Sequence, residues 1–277
     1  MSSGNEIIAG VDVGSRSTKV VILRKMLQAG CQSSVVDSLQ ALPSHPEYEI
    51  LARSLVPTGW TPQTAIAQAF QQALDQAGLQ SVSRVIATGY GRSLVDFVDR
   101  RITEITAHAR GAADLLPGMR TVIDIGGQDS KAIIISDGLV EDFAMNDRCA
   151  AGSGKFLEYL AMTMNLTVEE FAELAYRSNN PTNISSICTV FAESEVLSLL
   201  AEGVAREDVA AGAHKAIAWR VAQLALPLHP QTPVAFSGGV ARNRCLVREL
   251  SQALKCEILV PPYPEFTGAL GAALIGF

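Results

Sequence analysis

The sequence predicts an α/β protein, and two observations support this fold class. Segments rich in β-branched residues alternate with segments that have apolar residues at helical spacing. In addition, one strand–turn–strand pattern occurs twice: a β-branched run ending in Asp and Gly, a polar turn, a lysine and a second β-branched run. We therefore expect two β-hairpins of the same design.

The predicted elements cover most of the chain. Strands are expected at residues 7–13, 18–23, 84–88, 121–125, 131–135, 234–236 and 257–260. Helices are expected at residues 62–77, 104–115, 155–164, 168–177, 192–201, 208–226 and 243–254. Residues 43–62 contain four prolines and few long apolar runs, so we expect an exposed loop there.

The composition limits the classes of function. The chain has 277 residues, enough for a large core in one or two domains, and its net charge of −6 argues against a broad nucleic-acid surface. We expect a cytoplasmic protein without a signal peptide, because a strand pattern follows the first residues directly. The apolar run ALGAALIGF is too short to cross a bilayer. Five irregularly spaced cysteines indicate a reducing compartment.

The repeated pattern is a candidate anion site. DVGSRSTKVVIL, residues 12–23, and DIGGQDSKAIII, residues 124–135, align without a gap. Glycine in such a turn lets backbone N–H groups approach an anion, and Asp12 and Asp124 are placed to bind the divalent cation of a nucleotide. A single hairpin of this kind is common, so the interpretation depends on there being two. The candidate phosphate-binding residues are Gly14, Ser15, Arg16, Ser17, Thr18 and Lys19 in the first copy, and Gly126, Gly127, Gln128 and Asp129 in the second.

A third glycine turn, VAFSGGVARN at residues 234–243, joins a predicted buried strand to a helix. Such a junction lets a flat ligand lie against the backbone and directs the helix N-terminus at it. A plain strand-to-helix turn with a glycine pair explains the same pattern. The candidate ligand-binding residues of this turn are Gly238, Gly239, Val240 and Asn243.

The stretch CAAGSGKF, residues 149–156, ends like a phosphate-binding P-loop but lacks two of its elements. A P-loop has glycine at the position of Cys149, and serine or threonine at the position of Phe156 to bind magnesium. The sequence therefore argues against a P-loop and leaves a cysteine shortly before a predicted helix.

DVGSRSTK, DIGGQDSK and SGGVARN resemble the two phosphate motifs and the adenosine motif of the actin-like ATPase superfamily. The resemblance implies an α/β fold of duplicated actin-like (ribonuclease H-like) ATPase domains with a nucleotide cleft between them. It implies a first subdomain at residues 1–102, a second at 103–263 that carries the cysteines matched below, and a C-terminal helix at 264–277 that returns to the first subdomain.

Five further motifs narrow the resemblance: TGYGRSLV, TEITAHARGA, NDRCAAGSGKFLE, CTVFAESEV and PEFTGALGAAL. Together they are similar to motifs of the ATP-dependent activators of 2-hydroxyacyl-CoA dehydratases and of the related ATPase subunits of benzoyl-CoA reductases. The similarity follows the order of the chain over nearly its whole length, except for residues 24–62.

The resemblance implies an ATPase of anaerobic metabolism that passes one low-potential electron to a dehydratase or reductase component with its own iron–sulfur clusters. Its cofactors would be ATP or ADP, Mg²⁺ and one [4Fe–4S] cluster per homodimer, and its electron donor would be a ferredoxin or flavodoxin. Cys149 and Cys188 match the two cluster cysteines of each subunit. Both precede predicted helices, whose N-termini stabilise negative charge. Cubane clusters take four thiolates, and this chain lacks the C-x-x-C spacing that would supply them alone.

The resemblance also suggests a catalytic set and leaves two other functions open. Gln128 would orient the attacking water, as a glutamine does in GTPases, beside the cation held by Asp12 and Asp124. A sugar-type kinase or a non-redox actin-like ATP-binding regulator would use the same nucleotide motifs, but neither would explain Cys149 and Cys188. No nucleic-acid or membrane partner is expected.

Several other polar residues have simpler explanations. Glu193 and Glu195 follow a helix start, where carboxylates are favoured, and a role in the magnesium shell or the dimer is left open. The remaining cysteines and two of the histidines are expected to be structural: Cys31, Cys245, Cys256, His108 and His214.

Overall fold

The computed structural model describes residues 6–26, 45, 47–185 and 188–277. The chain divides into two compact units. Unit 1 comprises Met1–Gly111 with Phe266–Phe277, and unit 2 comprises Ala112–Glu265. The expected structural cysteine at position 31 lies outside the described residues.

Unit 1 is built on a five-stranded mixed sheet with three helices. The strand order is β3-β2-β1-β4-β5, with β1 antiparallel to β2 and parallel to β4. The strands are β1 Ile7–Val13, β2 Ser17–Lys25, β3 Tyr48–Pro57, β4 Arg84–Thr88 and β5 Arg100–Arg101. The helices, numbered with those of unit 2 in chain order, are α1 Pro62–Ala77, α2 Glu104–Leu115 and α8 Thr267–Leu274.

Unit 2 repeats this sheet topology and adds more helices. Its strand order is β10-β9-β6-β7-β8, with β6 antiparallel to β7 and parallel to β9. The strands are β6 Thr121–Ile125, β7 Ser130–Ser136, β8 Leu139–Asn146, β9 Val234–Ser237 and β10 Ile258–Leu259. The helices are α3 Gly154–Thr163, α4 Val168–Arg177, α5 Thr189–Ala201, α6 Arg206–Ala225 and α7 Arg244–Leu254.

The predicted duplication is confirmed at the level of the hairpins. In the β1–β2 hairpin Asp12 is paired with Lys19, and in the β6–β7 hairpin Asp124 is paired with Lys131. Because all five strands of the two sheets are paired in the same order and with the same directions, the repeated unit is a five-stranded sheet, larger than the sequence pattern indicated.

Helix α8 belongs to unit 1 because glycines allow close backbone contact. A Cβ at Gly10 on β1 would lie 2.5 Å from the backbone nitrogen of Ala273, and a Cβ at Gly111 on α2 would clash with the backbone of Thr267. Most of α2 therefore lies in unit 1, whereas the predicted boundary at residue 103 assigned it to the second subdomain. No helix in the described part of the chain is long and apolar enough to cross a membrane.

The prediction of an exposed loop at residues 43–62 is wrong for half of these residues. Tyr48–Pro57 forms strand β3, which pairs antiparallel with β2 at the edge of the sheet. Pro57 is the last residue of this strand, and proline is tolerated at the edge of a sheet, where the missing N–H breaks no ladder. Strand β8 was also missed, because it is an edge strand whose residues are mostly half-buried or exposed and show no apolar alternation.

Candidate functional site

The turn of the first hairpin is closed by backbone hydrogen bonds in unit 1. The nitrogen of Gly14 donates to the carbonyl oxygen of Ser17 at 3.1 Å, and the hydroxyl of Thr58 donates to the carbonyl oxygen of Gly14 at 2.7 Å. The ammonium group of Lys19 lies 3.4 Å from the Asp12 carboxylate. The candidate residues of this copy thus surround one glycine turn, with Ser15, Arg16 and Ser17 at least partly exposed.

The second hairpin has the same turn but a more buried charge pair. The nitrogen of Gly126 donates to the carbonyl oxygen of Asp129 at 3.0 Å, as Gly14 does to Ser17. Lys131 is 2% exposed, and its ammonium group lies 3.1 Å from Asp124 and 2.9 Å from Asp129. Gln128 is exposed at the tip of the turn. The sequence pattern contained Lys131, but its position between two carboxylates was not foreseen.

Each hairpin aspartate faces a glycine at the end of the neighbouring parallel strand. In unit 2 the hydroxyl of Ser237 donates to Asp124 at 3.2 Å, and Gly238 has φ +87° with its Cα beside the same carboxylate. In unit 1 Gly89 has φ +85° and lies against Asp12. The TGYG segment is therefore the structural counterpart of SGGV. Sequence comparison missed this relation because only the glycine is shared.

The side chain of Asn243 is fully engaged within the protein. Its Oδ1 accepts from the nitrogen of Leu246 at 3.1 Å, capping α7, and its Nδ2 lies 2.8 Å from Nε2 of His214. Nδ1 of His214 therefore carries the proton and donates to the carbonyl oxygen of Ala210 at 2.7 Å. Burial lowers the pKa of His214 to about 4, so the ring is neutral at physiological pH. His214 is structural, as expected, and it fixes the orientation of Asn243.

Cys149 lies in an exposed loop that is held by Asn146. Oδ1 of Asn146 accepts from the nitrogen of Cys149 at 3.2 Å, and Nδ2 donates to the carbonyl oxygen of Cys149 at 2.8 Å. A Cβ at Gly152 would lie 2.7 Å from this Nδ2, so a side chain there would displace the amide that holds the loop. Asn146 was not among the predicted site residues, although it opens the motif NDRCAAGSGKFLE.

The glycine-rich stretch after Cys149 is hydrogen-bonded to the turn of the second hairpin. The nitrogen of Gly154 donates to the carbonyl oxygen of Gly126 at 2.9 Å, and the nitrogen of Lys155 donates to that of Gly127 at 2.9 Å. These two N–H groups belong to the first turn of α3. Cys149 is not directly at the start of α3, because a short 3₁₀ turn at Ala150–Gly152 and Ser153 lie between them.

Cys188 is the N-cap residue of α5 and is exposed. Helix α5 begins three residues earlier than predicted, since the β-branched Thr189 and Val190 are poor signals for a helix start. The nitrogen of Ala192 donates to the carbonyl oxygen of Cys188 at 2.9 Å. Cys188 therefore lies directly at a helix N-terminus, where negative charge is stabilised.

Glu193 and Glu195 are held by protein donors near the cysteines. The Tyr159 hydroxyl donates to Glu193 at 2.8 Å and that of Thr163 at 3.3 Å, which joins α5 to α3. Glu195 accepts from both the nitrogen and the hydroxyl of Ser185 at 2.9 Å. These contacts connect α5, which Cys188 caps, to α3 after Cys149 and to Ser185 before Cys188. The sequence did not indicate this role.

The four cysteines in the described part of the chain differ in accessibility. Cys149 and Cys188 are exposed, whereas Cys245 is buried and Cys256 is half-buried. Burial raises the pKa of Cys245 to about 12 and also raises that of Cys256, so these thiols remain protonated. Burial lowers the pKa of the half-buried Arg220 guanidinium on α6, and electrostatic interaction with Cys149 and Cys188 opposes this shift.

The two exposed thiols fit the expected iron–sulfur ligands in their chemistry and accessibility. Thiolates are the ligands of [4Fe–4S] clusters, and both cysteines belong to unit 2. Within the described residues of one chain, no group of three or more His, Cys, Asp or Glu side chains could hold a metal ion.

Comparison with solved structures defines the class of protein. A ROK family glucokinase from Streptomyces griseus superimposes with a TM-score of 0.56 at 16% identity, over 97% of this chain and 98% of the other. The two repeated sheets and this similarity define an actin-like ATPase fold, as the resemblance of the phosphate and adenosine motifs implied.

Sequence comparison assigns the chain to a particular family within this fold. Residues 9–276 match the BadF/BadG/BcrA/BcrD ATPase family, and the chain belongs to this family. It is 41% identical to an activator of lactoyl-CoA dehydratase from Anaerotignum propionicum, over 97% of this chain and 96% of the relative. The predicted resemblance to dehydratase activators is confirmed.

Two solved structures agree with this assignment. Component A of the (R)-2-hydroxyglutaryl-CoA dehydratase of Acidaminococcus fermentans has a TM-score of 0.85 and 38% identity, with 98% of this chain and 97% of that chain covered. The activator of the 2-hydroxyisocaproyl-CoA dehydratase from Clostridium difficile, solved with bound ADPNP, has a TM-score of 0.83 and 38% identity, covering 97% of this chain and 93% of that chain.

The burial of Lys131 leads to a prediction about stability. Lys131→Met would leave the buried carboxylate of Asp124 without its cation, and removing one partner of a buried ion pair costs about 3–5 kcal/mol. We expect Lys131→Met to lower the free energy of unfolding by this order, measured by urea denaturation. Lys19→Met, at the same position of the more open first hairpin, is the matched control and should cost less. Equal losses would contradict the assigned difference between the hairpins.

Proposed function

We propose that this chain is an ATP-hydrolysing activator that, as a homodimer, passes one low-potential electron to a partner enzyme of the 2-hydroxyacyl-CoA dehydratase type. Membership of an ATPase family and the names of the relatives support the nucleotide and partner parts of this proposal. One [4Fe–4S] cluster per dimer would be held by Cys149 and Cys188 of each subunit, with a ferredoxin or flavodoxin as electron donor in the cytoplasm. Bound there, such a cluster supplies one-electron transfer at low potential.

The observation that carries the proposal is the placement of the two exposed thiols. Cys149 and Cys188 are distant in sequence, yet both are exposed and both lie next to elements that pack against α6, while the buried Cys245 and half-buried Cys256 are kept protonated. Two thiolates are half of the set that a cubane cluster requires. A twofold axis through the site supplies the other half from a second copy of the same residues.

Exposed apolar side chains around the cysteines support a dimer. Large apolar residues that are more than half exposed lie on each of the helices near the thiols, and such surfaces are typical of protein contacts. They are Met162 on α3, Val190 and Phe191 on α5, and Trp219 on α6. Val190 and Phe191 are the second and third residues after Cys188, so a partner that covers them would also surround the thiol.

The hairpins would supply the nucleotide chemistry. Asp12 and Asp124 would hold Mg²⁺ directly or through water, and the N–H groups of the glycine turns would bind phosphate oxygens. Gln128, exposed at the tip of its turn, would orient the attacking water. Gly238, Gly239 and Val240 would lie against the adenosine, with Asn243 shaping the turn through its cap and its bond to His214.

The hydrogen bonds of the α3 N-terminus support coupling between the proposed nucleotide site and the proposed cluster site. A movement of the Gly126–Gly127 turn on binding or losing a terminal phosphate would be transmitted to Gly154 and Lys155, since their N–H groups bind this turn. Cys149 lies on the segment that leads into the same helix. The nucleotide state would thereby alter the position of Cys149.

The first test removes individual cysteines. Cys149→Ser or Cys188→Ser should abolish iron and acid-labile sulfide in anaerobically purified, brown protein, because serine is a poor ligand for the cluster. Cys256→Ser is the control and should retain both. A full iron content in Cys149→Ser would exclude the bridging cluster, whereas wild-type protein without iron would favour a sugar-type kinase or a non-redox regulator instead.

The second test concerns the attacking water. Gln128→Ala should lower kcat of ATP hydrolysis by up to about 10²-fold, the cost of misplacing a reactant, while the Kd of ATP changes little. Steady-state hydrolysis and equilibrium binding measure the two quantities. Gln72→Ala on the exposed face of α1 is the control. Unchanged turnover in Gln128→Ala would remove the residue from the catalytic set.

The third test measures coupling through iron release. An anaerobic chelator should extract iron at different rates in saturating ADP and saturating ATP, because solvent access to a bridging cluster follows the position of its ligands. Gly154→Val should reduce the difference, since a Cβ at Gly154 would lie 3.1 Å from the carbonyl oxygen of Gly126. Lys155→Ala keeps the backbone N–H and should preserve the difference between the extraction rates in ADP and ATP. Equal extraction rates in ADP and ATP would show that the two sites are uncoupled.

A further inference from the structure

The second hairpin differs from the first in the surroundings of its lysine. Lys131 on β7 is 2% exposed, and its Nζ lies 3.1 Å from Oδ2 of Asp124 and 2.9 Å from Oδ2 of Asp129. In the first hairpin Ser17 stands at the position of Asp129, and the Lys19 side chain is 13% exposed. The second hairpin therefore has an additional carboxylate at this position, and its ammonium group is buried between two carboxylates.

Both carboxylates are held by the protein on the side away from the lysine. The hydroxyl of Ser237 donates to Oδ1 of Asp124 at 3.2 Å. A Cβ at Gly126 would clash with Oδ1 of Asp129, so this carboxylate packs against the backbone of the turn. The two aspartate side chains are 4% and 19% exposed. With their Oδ1 atoms held in this way, the two Oδ2 atoms converge on one point, and Nζ of Lys131 occupies it.

The point that the ammonium group occupies is one where two carboxylates could coordinate a divalent cation. Carboxylate oxygens bind Mg²⁺ at about 2.0–2.1 Å and Ca²⁺ at about 2.3–2.6 Å, so each Oδ2 would have to move by about 1 Å or less toward this point. Buried carboxylates are costly unless a cation neutralises them. Lys131 supplies such a cation as part of the chain, so the pair is neutralised without a metal ion.

We propose that Lys131 is an internal cation that keeps divalent metal ions from direct coordination by Asp124 and Asp129. Two carboxylates and one ammonium group leave one negative charge at the turn. This charge attracts a hydrated cation, which contacts the turn through its water molecules. Mg²⁺ loses water reluctantly and is usually held by substrate phosphates as well. Lys131 thereby makes metal binding depend on the nucleotide, a consequence that rests on the function proposed above.

The first experiment uses no nucleotide. Mn²⁺, a paramagnetic substitute for Mg²⁺, is titrated into the full chain, and the free ion is measured by electron paramagnetic resonance. Lys131→Met should bind Mn²⁺ at least about tenfold more tightly than the wild type, because the affinity of an oxygen site follows its ligand charge. Asp129→Asn in the Lys131→Met background removes one of the two convergent carboxylates and should abolish most of this gain.

Lys19→Met is the matched control in the first hairpin. Because Ser17 stands there in place of the second carboxylate, Lys19→Met should gain little affinity for Mn²⁺. Equal affinities of the wild type and Lys131→Met, or an equal gain in Lys19→Met, would overturn the proposal.

The unfolding temperature gives a second measurement of the same effect, which remains usable where Lys131→Met is partly unfolded. Mn²⁺ should raise the unfolding temperature of Lys131→Met and leave that of the wild type unchanged, because a ligand that binds only the folded state stabilises it. Equal shifts in the two proteins would contradict exclusion of metal by Lys131.

The second experiment adds ADP in excess. Electron–nuclear double resonance counts the exchangeable water molecules on bound Mn²⁺, and Lys131→Met should show fewer of them than the wild type, since a carboxylate replaces water. Equal numbers in the two proteins would overturn the water-mediated contact. Failure of the wild type to bind Mn²⁺ in the presence of ADP or ATP would instead overturn the proposed nucleotide function, while exclusion of metal by Lys131 would stand on the first experiment.

Discussion

Two backbone hydrogen bonds, from Gly154 to Gly126 and from Lys155 to Gly127, are the constraint on which the arrangement of unit 2 depends. They use N–H groups that a helix N-terminus leaves without an intrahelical partner. Instead of binding a ligand, the start of α3 binds the turn of the second hairpin. The stretch that resembles the end of a P-loop therefore connects the turn of the second hairpin to the loop that carries Cys149.

The hairpins were predictable from sequence because their pattern is local and occurs twice. Antiparallel strands joined by a short glycine turn are specified by a dozen consecutive residues, and each Asp pairs with the Lys that the alignment placed opposite it. Strand β3 was not predictable in the same way. It is defined by its pairing to β2, a contact between distant segments, and its prolines suggested a loop.

Only those residues of the site that lie within a recognisable sequence motif were predictable. Cys149 and Cys188 were identified by their motifs. Asn146 belongs to the first of these motifs, but its bonds to Cys149 were not inferred, and Glu193 acts through a contact with Tyr159 that depends on packing of α5 against α3. The correspondence of Gly89 with Gly238 could also not be inferred from the sequence. Each requires a positive φ beside an aspartate, and a single glycine is too weak a signal to align two segments.

Helix α8 has a consequence for the order in which the protein matures. Phe266–Phe277 completes unit 1, yet it follows every residue of unit 2 in the chain. During synthesis on a ribosome, domains fold as units when their residues have emerged. Unit 2 is complete before α8 appears, and until then the Gly10 side of the first sheet lacks the helix that covers it. The unit that carries Cys149 and Cys188 is therefore the first that can become native, so the nascent chain presents both thiols on a folded unit before unit 1 is complete.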